Sequence, residues 1–280
     1  MTITPREQAE VAAANTSGQQ PVVFVHGLWM LAGSWDAWRE LFAARGYSTV
    51  AVDWPDDPAT REEAVAHPEV LAGTTVAEVA DHVAEVVGAL TRTPIVVGHS
   101  FGGLMAQIVA GRGLAAGAVA IDPAPFRGVL PLPFSALKAS FPVLGNPRNR
   151  SRAVMLTPGQ FRYGFANAVS EEESRRLWET YCVPAPGRPL FQAALANVNW
   201  RTECRVDTKQ AARGPLLIIS GEQDNIVPWS LANAAKKRYE VVPADITEIP
   251  GRGHSLCIDS GWREVADTVL TFLATHDLAP

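Results

Sequence analysis

The sequence has few cysteines, no long hydrophobic run and no dense block of basic residues. Its three cysteines, Cys182, Cys204 and Cys257, are odd in number and none belongs to a C-x-x-C pair. Neither a disulfide framework nor a zinc site is therefore expected. Residues 1–20 lack the apolar segment of a signal peptide, and no run reaches the length of a membrane span. We expect a cytoplasmic protein with no membrane span.

Charge is also sparse. Charged residues make up 19% of the 280 residues and hydrophobic residues 47%, which permits a large buried core. The formal net charge is −5, and the densest basic run is Lys236-Lys237-Arg238, which is typical of a solvated helix end. This composition argues against a nucleic-acid partner, and no cluster of ligand-type residues predicts a metal.

Segments typical of strands alternate with helical patterns along most of the chain. Helical spacing of apolar residues is clearest over residues 75–90. Alternation of this kind predicts an α/β fold in which helices flank both faces of a mainly parallel sheet. The predicted strands are residues 21–27, 47–53, 94–98, 117–122, 216–221 and 244–249.

One long segment interrupts this alternation. Residues 126–213 contain proline, aromatic and helical stretches but no run typical of a buried strand. Because the segment lies between two predicted strands, we predict a helical cap inserted into a core of residues 21–125 and 214–280. A separate small domain is the alternative. Residues 1–20 are predicted to form a polar arm with one short helix over 5–14.

A glycine-flanked serine stands between a predicted strand and a predicted helix. The segment is Gly98-His99-Ser100-Phe101-Gly102. A serine hydroxyl is a weak nucleophile, and a sharp strand–helix corner exposes it to a base and to the substrate. The glycines permit close approach of strand and helix, and the helix N-terminus favours developing negative charge. Ser100 is the predicted nucleophile; an incidental serine in a glycine-rich turn is the alternative.

Four motifs in the same order resemble the signatures of the capped α/β-hydrolase superfamily, which includes serine esterases and lipases. The resemblance covers roughly residues 21–275 and implies the α/β-hydrolase fold with a catalytic triad and no cofactor. It does not define the substrate. The motifs are Val25-His26-Gly27-Leu28-Trp29, Gly98-His99-Ser100-Phe101-Gly102-Gly103, Gly221-Glu222-Gln223-Asp224-Asn225-Ile226-Val227-Pro228 and Gly251-Arg252-Gly253-His254-Ser255.

A serine nucleophile needs a histidine base and a carboxylate that orients the histidine. In this fold the chain order is nucleophile, acid, histidine. Of the six histidines, His254 alone follows the last predicted strand within a glycine-rich loop, so it is the predicted base. Asp224, just beyond the fifth predicted strand, is the predicted acid. Asp122, at the end of the fourth predicted strand, is the alternative.

Acyl transfer also needs two backbone N–H groups to stabilise the oxyanion. Phe101 supplies one because it follows the nucleophile, and the resemblance points to Leu28 for the other. Trp29, the next residue, is the alternative second donor and is predicted to contact the substrate. Together with the aromatic residues of the cap, these side chains predict an apolar cleft.

The sequence therefore predicts a serine hydrolase that cleaves an apolar acyl or aryl ester, a small-molecule substrate, through an acyl-enzyme. Lactonase, thioesterase, amidase or acyltransferase activity with the same triad is the nearest alternative. A ligand-binding protein or a cofactor-independent oxygenase is a more distant one. The oligomeric state stays open.

Overall fold

The structure, a computed structural model, describes residues 3–280. Within this range the main sheet has six strands: β1 (Pro21–Val25), β2 (Ser48–Val52), β3 (Ile95–His99), β4 (Gly117–Ile121), β7 (Leu216–Gly221) and β8 (Asp245–Ile249). They are all parallel and lie in the order β2-β1-β3-β4-β7-β8. The six predicted strands are all present, with ends shifted by at most two residues, and the predicted fold class is confirmed.

Helices cover the sheet. The helix α5 (Phe101–Gly111) packs on both β3 and β4, and α4 (Val76–Gly88) packs in turn on α5. No helix within residues 3–280 is long and apolar enough to cross a membrane. The core helices are α1 (Pro5–Ser17), α2 (Asp36–Ala43), α3 (Arg61–Ala66), α4 (Val76–Gly88), α5 (Phe101–Gly111), α10 (Trp229–Lys236) and α11 (Trp262–Thr275).

Burial explains the continuous apolar sequences of the inner strands. Every residue of β1, β3, β4 and β7 is buried, because helices on both faces demand continuous apolar runs. The edge strand β8 is largely accessible and carries Asp245 and Glu248, as suits an edge that must not pair with another chain.

The N-terminal helix α1 packs against the opposite edge of the sheet. It runs three residues past the predicted end and contacts β2. The fully buried carboxylate of Glu7 accepts a hydrogen bond from the backbone N–H of Asp53 (3.0 Å) and lies 3.0 Å from Nε2 of His82. The segment predicted as a polar arm is thus tied to the edge strand by buried polar contacts.

The connection from β4 to β7 holds the remaining elements. Four helices and a two-stranded antiparallel pair interrupt the parallel sheet between these neighbouring strands. The elements are α6 (Phe134–Leu144), β5 (Ala153–Val154), α7 (Pro158–Gly164), α8 (Glu171–Tyr181), β6 (Ala185–Pro186) and α9 (Arg188–Ala194).

Candidate active site

Ser100 occupies the sharp turn between β3 and α5. Its backbone has φ 55° and ψ −118°, a conformation that costs a non-glycine residue about 1–3 kcal/mol. Two hydrogen bonds compensate: Ser100 N–H donates to the carbonyl of Ile121 (2.8 Å), and its own carbonyl accepts from Ala124 N–H (2.9 Å). The sequence pattern of strand, turn and helix is therefore realised, with the serine at its corner.

Glycines permit this crowded geometry. A Cβ atom at Gly98 would collide with the carbonyl of Gly102, and one at Gly102 would collide with the carbonyl of Val25. A Cβ atom at Gly27 would lie 2.8 Å from Cβ and 3.4 Å from Oγ of Ser100. The loop after β1 therefore lies directly against the predicted nucleophile.

The loops after β7 and β8 bring Asp224 and His254 together. The distance from Asp224 Oδ2 to His254 Nδ1 is 2.6 Å, and both side chains are buried. The other oxygen, Oδ1, accepts from the N–H groups of Ile226 (2.6 Å) and Val227 (3.0 Å). A carboxylate held in this way keeps the imidazole hydrogen on Nδ1 and stabilises the imidazolium.

To act as the base, His254 must offer its other ring nitrogen, Nε2, to the serine. His254 Nε2 is buried and has no hydrogen-bond partner within residues 3–280. Ser100 Oγ does not hydrogen-bond to it in this structure; catalytic contacts of this type often tighten only when substrate binds. The ring is thus oriented by Asp224, and its second nitrogen remains able to accept a proton.

Asp122, the alternative acid, makes different contacts. Its Oδ1 accepts from the N–H of Gly221 (2.8 Å), while its Oδ2 lies 3.9 Å from His254 Nδ1, which is too far for a hydrogen bond. Burial and then the negative charge of Asp224 raise the pKa of Asp122 well above its usual range. The longer distance from Asp122, together with burial that favours its neutral form, supports Asp224 as the group that orients His254.

His99 fixes the backbone of the same loop. Its Nε2–H donates to the carbonyl of His254 (2.8 Å), and the two ring centroids lie 4.7 Å apart. Burial, and then the nearby His254 ring, lower the pKa of His99 well below its usual range. His99 is therefore a neutral donor that positions the predicted base.

Two further contacts restrain His254, and no sequence motif signals either. The ring of Phe165 lies edge-on to His254 at 4.9 Å and places the end of α7 over the site. Arg252 forms an ion pair with Asp259, whose other oxygen accepts from Ser255 Oγ (2.8 Å). Phe165 is far from His254 in the sequence, and the ion pair with Asp259 depends on how the loop after β8 folds, so only the folded chain reveals these contacts.

The predicted oxyanion donors have no competing acceptors. Within the described residues, neither the N–H of Leu28 nor that of Phe101 donates a hydrogen bond. Trp29 adopts φ 65°. Its indole donates to the carbonyl of Val154 (2.9 Å), and its own carbonyl accepts from Val183 N–H (3.1 Å). The connection from β4 to β7 therefore anchors the loop that carries Leu28.

A second buried histidine–aspartate pair, His26 and Asp57, supports the loop that carries Leu28. His26 Nε2 lies 2.9 Å from Asp57 Oδ2, and His26 Nδ1 lies 2.9 Å from the carbonyl of Gly27. Burial alone would lower the pKa of His26, but the hydrogen bond and charge of Asp57 outweigh it and raise the pKa. The Trp54 ring stacks on His26, and its indole donates to the His26 carbonyl (3.1 Å).

An apolar cavity of about 380 Å³ adjoins the serine. No charged residue among residues 3–280 lines it, and its polar lining residues are Ser100, Ser140 and Asn197. Leu28 and Trp29 do not line it, so contact between Trp29 and substrate stays a prediction. The bulkier apolar lining residues include Phe101, Phe126, Val129, Leu190, Ile226 and Leu231.

One group of side chains has the proximity required for a metal ion. His99, Asp122 and His254 each offer a ligand atom within 4.8 Å of the others. His254 Nδ1 is already engaged by Asp224, and the raised pKa of Asp122 favours a neutral carboxyl, which is a poor cation ligand. These donors fit a histidine–acid pair better than a metal centre.

A strained serine after a central strand of a parallel sheet, an adjoining apolar cavity, and a buried histidine–aspartate pair on the loops after β7 and β8 together define an α/β-hydrolase-type protein. The chain belongs to the alpha/beta hydrolase family, whose model matches residues 22–268. The predicted superfamily membership is thereby confirmed.

Individual relatives differ in their activities. The chain is 28% identical over 257 residues to a non-heme chloroperoxidase from Burkholderia pyrrocinia, covering 85% of this chain and 86% of that protein. It is also similar to the crystal structure of Paleococcus ferrophilus monoacylglycerol lipase, with TM-score 0.64, 24% identity and coverage of 91% and 94%. A thioesterase domain from the curacin biosynthetic pathway gives TM-score 0.60, 16% identity and coverage of 91% and 92%. The two structural likenesses show the fold alone.

Proposed function

We propose that this protein is a serine hydrolase that cleaves an apolar acyl or aryl ester through an acyl-enzyme. The observation that carries the proposal is the strained Ser100 at the wall of an uncharged cavity, since its chain neighbour His99 hydrogen-bonds the backbone of His254, whose ring Asp224 holds at 2.6 Å. Strain at a functional residue persists only where the surrounding structure holds it, and the hydrogen bonds of the turn do so here.

The proposed reaction has two halves. His254 Nε2 accepts the proton of Ser100 Oγ as the oxygen attacks the ester carbonyl carbon. The N–H groups of Phe101 and Leu28 stabilise the oxyanion, a contribution of about 3–4 kcal/mol per donor in comparable sites. The alcohol then leaves with the proton from His254. Water, deprotonated by His254, attacks the acyl-enzyme and releases the acid and Ser100.

The lining of the cavity supports the substrate class. A volume of about 380 Å³ is in the range of small-ligand sites, and an uncharged wall offers no partner to an anionic substrate. In this proposal, residues 126–213 form the cap over a core of residues 21–125 and 214–280, because cap side chains such as Val129 and Leu190 complete the cavity. Thioesters, lactones and activated amides place the same carbonyl beside Ser100, so the test includes them.

The decisive experiment uses p-nitrophenyl esters of two to eight acyl carbons, matching thioesters and lactones, and a fluorophosphonate probe. We expect turnover that increases with chain length up to the size of the cavity, together with labelling of the serine. Ser100→Ala should abolish both, and Ser151→Ala, which alters an exposed serine outside the cavity lining, serves as the matched control. Unchanged turnover in Ser100→Ala would refute the proposed nucleophile.

Chlorination is a second candidate, because a named chloroperoxidase is 28% identical across most of the chain. The measurement is halogenation of monochlorodimedone with hydrogen peroxide and chloride or bromide. Halogenation that is lost in Ser100→Ala, in a protein inactive on every ester, would favour this candidate over ester hydrolysis.

A further inference from the structure

Large apolar side chains surround the mouth of the cavity and face solvent. Two segments contribute them, and we call the set the apolar rim. Its most exposed members, Phe134 and Val198, are each 79% exposed. Contiguous apolar surface of this kind marks an interaction site rather than an ordinary protein surface. The first segment contributes Leu130, Leu132, Phe134, Leu137 and Phe141, and the second contributes Leu195, Val198 and Trp200.

The helix α6 connects this rim to the cavity. Phe134, Leu137 and Phe141 are spaced so that they share one stripe of the helix. Leu137 lines the cavity, whereas Phe134 and Phe141 do not and extend the stripe into solvent. Apolar surface therefore runs from the interior of the cavity to the exterior of the protein without interruption.

A hydrogen-bonded side chain joins the two segments of the rim. Asn197 Oδ1 accepts from Gly128 N–H (2.7 Å), and Asn197 Nδ2 donates to the carbonyl of Val129 (2.8 Å). These contacts hold the second segment beside the start of the first. The rim is thus one surface, with the cavity opening inside it.

The charge around the rim is positive although the whole protein is negative. Residues 123–170 contain six basic residues and no acidic residue, whereas the chain has a net charge of −5. A short turn packs on α6 and exposes Arg148, Arg150 and Arg152 at its surface. None of these three arginines forms an ion pair with any of the residues that the structure describes.

Exposed phenylalanine and leucine beside unpaired basic residues match the chemistry of an anionic lipid surface. Apolar side chains bury themselves among acyl chains, and basic residues are attracted to acidic headgroups. A protein partner seated on the same rim would cover the opening of the cavity. A lipid layer would instead bring apolar molecules to it.

We propose that the apolar rim docks this protein on an anionic lipid surface, with the cavity mouth facing the lipid. Docking itself requires no catalysis. The consequence that apolar esters enter the cavity from the lipid rests on the function proposed above, and the experiment separates the two.

The test measures sedimentation of the Ser100→Ala protein with phosphatidylglycerol–phosphatidylcholine vesicles and with pure phosphatidylcholine vesicles. We expect stronger partitioning onto the anionic vesicles, and weaker partitioning as salt screens the arginines. Adding Phe134→Ser and Phe141→Ser should weaken partitioning at least about tenfold, since binding scales with buried apolar area. Val65→Ser with Val241→Ser, which alters exposed side chains outside the rim, should leave it unchanged.

Three outcomes would overturn docking: no sedimentation with anionic vesicles, equal sedimentation of the rim and control variants, or a dimer in light scattering that the rim variant abolishes. The last result would assign the rim to contact between copies of the chain. Hydrolysis of water-soluble p-nitrophenyl butyrate by the wild-type protein without vesicles tests the other proposal. Absent hydrolysis by the wild-type protein, together with binding of the Ser100→Ala protein to anionic vesicles that the rim substitutions weaken, would refute the esterase function while supporting the docking surface.

Discussion

Replacing Asp224 by asparagine should inactivate this protein because the hydrogen on the imidazole of His254 would move from Nδ1 to Nε2. Asp224 Oδ1 accepts from two backbone N–H groups, and only the carbonyl oxygen of an asparagine could take that place. The amide NH₂ would then face His254 Nδ1, which would have to give up its hydrogen and accept. The hydrogen would move to Nε2, and the ring could no longer take a proton from Ser100.

The expected size of the effect follows from this geometry. Loss of the orienting carboxylate costs about 10⁴-fold in rate in comparable triads, which corresponds to about 5 kcal/mol of transition-state stabilisation. Asp122→Asn should cost less than about tenfold, because a carboxyl and an amide both offer an oxygen to Gly221 N–H. The two variants are thus a matched pair at adjacent strand ends.

The assay is kcat/KM for p-nitrophenyl butyrate, with urea unfolding of each variant to verify that it is folded. The tautomer argument predicts a loss in kcat rather than in KM, since the amide makes no contact with substrate. A greater loss in Asp122→Asn than in Asp224→Asn would refute the assignment of the acid.

Three other perturbations test the surroundings of the site. Gly27→Ala should reduce kcat at least about 100-fold, because its Cβ would press against Ser100; unchanged kinetics would contradict the packing of this loop. His26→Gln should make the free energy of unfolding less dependent on pH above about 6.5. Folding raises the pKa of His26, so the protonated ring stabilises the protein at low pH, and this contribution is lost as the pH rises through the raised pKa. Urea unfolding from pH 6 to 9 measures this, and identical slopes for both proteins would disprove it. His99→Phe should lower kcat about fivefold with KM unchanged, since one hydrogen bond of about 1 kcal/mol to the carbonyl of His254 is lost; a change in KM alone would argue against a positioning role.

Some of this architecture is encoded locally and some is not. Central parallel strands need continuous apolar runs, and the turn at Ser100 needs glycines on both sides, so both patterns can be recognised in the sequence. Asp122 and Asp224 each follow a strand, and spacing alone could not separate them. Only the folded chain shows that Asp224 lies 2.6 Å from His254 Nδ1 while Asp122 lies 3.9 Å away.

Contacts between distant elements were beyond sequence reasoning for a physical reason. The aromatic residues of residues 126–213 look alike in sequence, yet Phe165 covers His254 whereas Phe134 and Phe141 project into solvent. Which side of a helix is covered depends on elements packed from elsewhere in the chain. The burial of Glu7 on the helix α1 has the same origin.

The positive φ angles at Trp29, Ser100 and Asp122 have a consequence for engineering. Each of these non-glycine residues follows one of three neighbouring strands, β1, β3 and β4, and glycine would adopt the same backbone with less strain. At Trp29 and Asp122 that substitution would also remove a buried side chain and its hydrogen bond, whereas at Ser100 it would remove the small side chain of the proposed nucleophile. Heat resistance and turnover therefore favour different residues at position 100, and a mutant library selected only for surviving high temperature should accumulate glycine there and yield robust proteins that no longer turn over substrate.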